Sequence, residues 1–197
     1  MRHSPFSFSH LNLRWNPFSQ LDAESWRELA VIEPLTCSPG SVTQLLGDAG
    51  HGKTTHLLAL WSQNERAVYE YRPEGQTYFK TRVRAGMFFL LDEAQRLRPR
   101  ILRRLLRQPI TLVASSHSDL RCFTRRALHT LQLGQLDRAR LRVILERRIG
   151  WARRARGPVP TVSTATLDAL LVRYGGNLRA IEDDLYERFQ RLETMYV

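Results

Sequence analysis

Apolar runs and the polar breaks between them divide the chain into five short strands and a series of helices. Val42, Leu45 and Leu46 predict a first buried strand, and Thr54–Leu60 the opening turns of a helix. Ala67-Val68-Tyr69-Glu70-Tyr71 reads as a second strand. Met87–Leu91 is an unbroken apolar run, as expected of a strand covered on both faces of a parallel sheet. Residues 96–108 predict a helix with Leu97, Ile101, Leu102, Leu105 and Leu106 as its packed stripe. Pro109 ends that helix, Ile110–Ala114 is the next strand, Asp119–Leu128 reads as helical, and His129–Leu133 is a fifth strand. Strands alternating with helices predict an α/β fold, here a parallel five-stranded sheet flanked by helices.

The ends of the chain carry a different pattern. Residues 1–20 read as an extended arm anchored by Trp15 and Phe18, and Asp22 can cap a short helix over Ala23–Ala30 bearing Trp26 and Leu29. From Asp137 onward only helical periodicity remains. It predicts one helix over Asp137–Arg153, a stiff Gly157–Pro160 linker, and a second helix from a Ser163 cap to Tyr174. Gly175-Gly176 then close that helix, and Asn177 caps a third over Leu178–Met195. The expected organisation is an arm with a short helix over 1–40, an α/β core over 41–134 and a three-helix lid over 135–197.

The chemistry concentrates where the first strand meets its helix. Gly47, Gly52, Lys53 and Thr54 satisfy G-x-x-x-x-G-K-[ST], and Gly50 tightens the pattern. Glycines let successive backbone N–H groups turn inward and cradle an anion, and the following helix adds its unpaired donors. Gly47-Asp48-Ala49-Gly50-His51-Gly52-Lys53-Thr54-Thr55 is therefore the expected polyphosphate loop. Lys53 would reach the β- and γ-phosphates, and Thr54 would ligate Mg²⁺. Of 30 basic residues only Lys53 and Lys80 are lysine, so a lysine in this loop stands out against an arginine background. The apolar run at 87–91 closes on Asp92-Glu93, at the strand end where ligands collect in open α/β sheets. Asp92 is expected to hold Mg²⁺, and Glu93 to polarise the water that attacks the γ-phosphate. At the tip of the following strand, Ser116 and His117 are candidates for sensing that phosphate.

Composition adds a partner class and removes others. The net charge is +11, which favours nucleic acid, an anionic surface or an acidic protein. Arg100, Arg103, Arg104 and Arg107 fill the outer face of the helix predicted over 96–108, a solvated face or a phosphate contact. Double-stranded DNA met through arginine-rich surfaces is the expected polymer. Cys37 and Cys122 are too few and too far apart for a metal or disulfide framework. No signal-peptide run and no membrane-length apolar stretch is present, so a cytoplasmic protein is expected.

With these motifs in place the chain resembles AAA+ P-loop ATPases over about residues 15 to 195. The resemblance rests on Walker A at Gly47–Thr54, Walker B at Phe88–Glu93, the sensor-1-like Ser115–His117 and the helical lid. In the lid, Gly176-Asn177-Leu178-Arg179 is similar to a sensor 2 pattern. Small bacterial members of the general-secretion, transposition-helper and origin-recognition types share parts of this pattern. The resemblance implies ATP and Mg²⁺ as cofactors, ATP hydrolysis with Glu93 as base, and Arg179 contacting the γ-phosphate. It further implies a homo-oligomer or partner protein in which Arg125 or Arg126 completes a neighbouring site, and coupling of the nucleotide state to remodelling of DNA or a protein–DNA complex. The alternative is a slowly hydrolysing or non-hydrolysing ATP-gated switch. A guanine-specific [NT]-K-x-D and a Leu-Ser-Gly-Gly-Gln run are both absent, which disfavours a GTPase and an ABC transporter ATPase. His51 takes the place of a small hydroxyl residue in the loop, and the stretch from Tyr71 to Met87 is short for a crossover helix.

Overall fold

A computed structural model describes residues 8–22, 25, 28–134 and 136–197. The chain forms two compact units, one over 32–134 and one that joins 1–31 to 135–197.

The first unit is an α/β sandwich. Its strands are β1 (Val42–Leu46), β2 (Ala67–Tyr71), β3 (Phe88–Asp92), β4 (Thr111–Ser116) and β5 (Leu128–Gln132). They form one sheet in the order β2-β3-β4-β1-β5, with every pairing parallel. Helix α1 (Lys53–Gln63) follows β1, and α2 (Pro99–Leu106) follows β3. Because strand side chains alternate, each strand feeds two layers. Leu45, Ala67, Leu90 and Val113 pack with Leu57 of α1 on one face. Val42, Phe89, Leu91, Leu112 and Ala114 pack with Leu102, Leu105 and Leu106 of α2 on the other.

Two connections depart from the sequence pattern, and a third, over 72–87, lacks a helix as its short length implies. The expected helix over Asp119–Leu128 is only a single 3-10 turn at Arg121–Phe123. The competing partner is Gln44, buried in β1, whose carbonyl accepts from Leu120 N–H at 2.8 Å. Its amide donates to Asp119 at 3.2 Å and to Thr130 at 3.0 Å, which ties the start of this segment to β1 and β5. The helix expected over 96–108 splits into a 3-10 turn at Ala94–Arg96 and the shorter α2, with Pro99 in its first turn. Between β2 and β3 there is no helix. Residues 72–87 instead hang on Glu70, which accepts from Lys80 N–H at 2.6 Å and Thr81 N–H at 2.8 Å and pairs with Arg72 at 2.7 Å. Burial alone would raise the Glu70 pKa, but these donors outweigh it and hold it below its ordinary value. Phe79 and Val83 of this segment fill the place of helix side chains against the α2 layer.

The second unit contains α3 (Arg138–Trp151), α4 (Thr164–Tyr174) and α5 (Leu178–Gln190). Asp137, Ser163 and Asn177 cap them, each side chain accepting an N–H three residues on. Helix α5 stops five residues before the expected Met195, because the tail turns back. Thr161 N–H donates to Met195 O at 3.0 Å, and Ser163 N–H to Val197 O at 3.0 Å. The arm is part of this unit. Phe8, Leu11, Leu13 and Phe18 share a core with Leu141, Leu145, Leu167, Ile181 and Phe189, and Trp15 stands edge-on to Trp151 at 5.0 Å. Ser25, Glu28 and Leu29 are helical and Asp22 accepts from Ser25 N–H at 2.8 Å, whereas Ala23 and Trp26 lie outside the described residues. No helix among the described residues is long and apolar enough to cross a membrane.

Candidate nucleotide site

The site lies at the carboxyl ends of β1, β3 and β4. Between β1 and α1 the loop Gly47–Gly52 turns over, and Gly52, at φ +80°, sits as the N-cap of α1. An L side chain there would be strained, whereas glycine adopts the left-handed turn freely. Lys53 opens α1 and is buried, with Nζ donating to Gly47 O at 2.7 Å and Asp48 O at 2.8 Å. His51 folds back so that Nδ1 accepts from Asp48 N–H at 3.1 Å, holding the loop closed on itself. Ala49 and Gly50 lie in the turn, and Thr55 is the third residue of α1.

Asp92 ends β3 with no exposed surface. Strand alternation puts it on the α1 face with Leu90, and three hydroxyls converge on it. Thr54 Oγ1 donates to Oδ2 at 2.8 Å, Tyr69 from β2 donates to the same oxygen at 3.1 Å, and Ser115 from β4 donates to Oδ1. The Tyr69 hydroxyl is pushed well above its ordinary pKa, first by burial and then by the Asp92 charge and hydrogen bond. It remains a donor at any physiological pH.

Glu93 adopts a left-handed backbone, φ +65°, rare for a non-glycine and costing about 1–2 kcal/mol. That turn aims its side chain away from Asp92 and leaves its N–H to Ser115 Oγ at 2.8 Å. The Glu93 carboxylate accepts from Gln95 at 2.8 Å and pairs with Arg96 at 3.2 Å. His117 Nε2 lies 3.3 Å from Glu93 Oε1, and the same ring lies 3.3 Å from Lys53 Nζ. His117 thus bridges the phosphate-loop lysine and the acid.

The structure brings together Lys53, Thr54, Asp92, Glu93 and His117. Ser116 is not among them. It has the opposite strand parity, on the α2 side with Ala114, and its hydroxyl closes a local turn by donating to Ser118 O at 2.6 Å. Ser115 occupies the position expected of Ser116. Arg126 is likewise committed elsewhere, donating to Gln108 O at 2.7 Å and to Gly40 O. Arg125 is exposed, and Arg179 is exposed on the first turn of α5 in the helical unit. Tyr69, Gln95 and Arg96 were not singled out by motif, and Ser115 entered only as the start of the sensor-1-like Ser115–His117 stretch, in which Ser116 and His117 were the candidates. Parity was the available signal for Tyr69 and Ser115, since Tyr69, Asp92 and Ser115 alternate in phase with Ala67, Leu90 and Val113.

Thr54 and Asp92 offer hard oxygen donors side by side, the chemistry Mg²⁺ takes when phosphates and water supply its remaining ligands. Among the described residues no group of three or more His, Cys, Asp or Glu forms a self-sufficient metal cage.

No family model matches the chain, and no curated protein matches it. Among solved structures it is similar to the Thermotoga maritima RuvB Holliday junction branch migration motor, at 21% identity and a TM-score of 0.53. That match covers 75% of this chain and 53% of the other. A single-substitution RuvB mutant matches at 20% identity and a TM-score of 0.52, covering 75% of this chain and 54% of the other. The chain therefore spans about half the length of the solved structures it matches. The shared feature is the fold, an α/β P-loop NTPase fold with a parallel five-stranded sheet flanked by helices.

Proposed function

We propose that the chain is a Mg²⁺-dependent, ATP-hydrolysing ATPase of AAA+ type that couples its nucleotide state to remodelling of DNA or a protein–DNA complex. The observation that carries the reading is the meeting of the phosphate-loop pair with the acidic pair, Thr54 Oγ1 lying 2.8 Å from Asp92. In this reading the loop N–H groups and Lys53 bind the triphosphate. Thr54 and Asp92 would hold Mg²⁺, which when bound would supply charge neutralisation to the phosphoryl group. Glu93 takes the proton of the attacking water, and His117, touching both Lys53 and Glu93, relates the base to the occupancy of the loop. Ser115 and Tyr69 orient Asp92. Arg125, exposed and free of a carboxylate partner, is a better candidate than Arg126 for a cation acting on a neighbouring subunit. Arg179 is the candidate γ-phosphate contact from the helical unit.

A second reading, a slow nucleotide-gated switch, is favoured by one observation. The Glu93 carboxylate is held by Gln95, Arg96 and His117 rather than standing open to a water. Turnover separates the two. ATP hydrolysis per subunit that rises with protein concentration and again with duplex DNA, and is lost in Glu93→Gln with ATP binding retained, supports the ATPase. Tight ATP binding with negligible turnover in every condition supports the switch. Unchanged ATP affinity in Lys53→Ala refutes both.

A further inference from the structure

Helix α2 carries a charge distribution that its packing does not require. Its inner face is Leu102, Leu105 and Leu106, and every charged residue on its outer face is arginine. From residue 94 to residue 118 the chain has six arginines and no carboxylate. The helical unit is arranged differently, pairing Arg138 with Asp168, Arg148 with Glu182, and Arg173 and Arg188 with Asp184. Among the described residues none of Arg82, Arg100, Arg103, Arg104, Arg107 and Arg125 has a carboxylate partner. Like charges at i,i+4 destabilise a helix, so Arg100–Arg104 and Arg103–Arg107 work against the fold.

The two pairs lie along the two edges of the one exposed face of α2, about 60° apart around the helix, and each flanks its own cleft. Arg100 and Arg104 line a cleft of about 560 Å³ whose far wall holds Arg82 and the exposed Tyr78. Arg103 and Arg107 line a second cleft of about 400 Å³, opposite Arg125, where Arg103 lies over the Phe123 ring. A helix with its side chains is about 10–12 Å across, close to the roughly 12 Å width of a B-DNA major groove. Cations along both edges can therefore meet phosphates of both strands, which a single strand does not offer. We propose that α2 and its two flanking clefts form a binding surface for the phosphate backbones of duplex DNA. This deepens the proposed function by placing its polymer partner, but the binding itself needs no nucleotide. With arginine as the only charged residue type on this surface, the contact is made chiefly to the backbone and is nearly indifferent to sequence.

The test is fluorescence anisotropy of a short labelled duplex with the whole chain, without nucleotide, over a range of KCl concentrations. Arg100→Gln/Arg104→Gln and Arg103→Gln/Arg107→Gln should each weaken binding about tenfold or more and flatten the log-affinity against log-salt slope by about 2. The corresponding Arg→Lys pairs should keep the slope. ATP affinity reports on the fold of each variant, and the Lys pairs serve if a Gln pair fails to fold. Wild-type affinity and slope in both Gln pairs would overturn the proposal. So would tighter binding of a single strand than of the duplex, or displacement of the duplex by polyglutamate at equal charge. Lys53→Ala keeps the outcomes separate, since it should abolish ATP binding and leave duplex affinity unchanged.

Discussion

Removing the hydroxyl of Ser115 tests whether this residue, rather than its neighbour Ser116, organises the acidic pair. Ser115 is fully buried and makes two contacts of different kinds, donating to Asp92 Oδ1 and accepting Glu93 N–H at 2.8 Å. A hydrogen bond to a carboxylate contributes about 1.5–3 kcal/mol, and an N–H left unsatisfied in a buried place costs about 1–3 kcal/mol. The two share one hydroxyl and do not add in full, so Ser115→Ala should destabilise the α/β unit by about 2–4 kcal/mol. It should also lower ATP turnover by tenfold or more, since Asp92 loses one of three hydroxyl anchors and Glu93 loses the contact that fixes its left-handed turn. The companion Ser116→Ala removes only bonds to the backbone of exposed Ser118, whose groups water can satisfy. It should cost about 1 kcal/mol or less and leave turnover within twofold. Urea denaturation and steady-state ATPase rates across a Mg²⁺ series measure both effects. Equal losses in the two variants, or lost turnover in Ser116→Ala alone, would refute the assignment by strand parity.

Gly134→Ala places a Cβ 2.3 Å from the His51 ring at φ +119°, so it should weaken ATP binding as His51 is pushed out of the loop. Adding His51→Ala should recover part of that loss, with a coupling energy of about 0.5–3 kcal/mol in a double-mutant cycle; strict additivity would mean the two do not touch. Asp119 is held down to about 2 by the hydrogen bonds and charge of Arg121, below its unfolded value. Its contribution to stability is therefore present above the unfolded carboxylate range and lost as pH falls through about 2. The difference in urea midpoint between wild type and Asp119→Asn should accordingly be constant from neutral pH to about 4 and vanish toward pH 2. Arg126→Ala should destabilise the α/β unit by about 2 kcal/mol because two backbone carbonyls lose their donor, whereas Arg125→Ala should stay within about 0.5 kcal/mol. Matching urea curves for the two variants would dismiss that distinction.

The centre of the sheet was legible because β1, β3 and β4 are buried on both faces. The run at Met87–Leu91 and the strand at Ala67–Tyr71 stand where the apolar pattern puts them. So were the caps Ser163 and Asn177, whose signal lies within four residues of the helix they start. What escaped depends on partners far along the chain. The loop after β4 reads as helical until Gln44, seventy-six residues before Leu120, takes the Leu120 N–H. Tyr69 looks like an ordinary strand aromatic until the strand order sets β2 beside β3 and its hydroxyl reaches Asp92. Helix α5 overruns because its periodic pattern continues to Leu192, while the pairing of Val197 with the Thr161 segment is invisible to periodicity. The arm reads as a separate piece because its core partners begin at Leu141, on the far side of the whole sheet domain in sequence.

The one lysine in the phosphate loop now has a physical reason that charge alone does not supply. Lys53 Nζ carries three hydrogens on a single atom, and its neighbours Gly47 O, Asp48 O and the His117 ring approach it from different directions within 3.5 Å. A guanidinium holds its donors in a plane spread over three nitrogens and cannot converge them on such a set. It is also bulkier, in a loop where the His51 ring and Leu133 O already stand within 3.4 Å of a Cβ at Gly47. A chain that carries arginine nearly everywhere else keeps lysine here because the loop needs a compact, rotatable cation. Under the proposed function the same ammonium would exchange carbonyl contacts for phosphate oxygens without any change of shape, and His117, in contact with Nζ, would register that exchange.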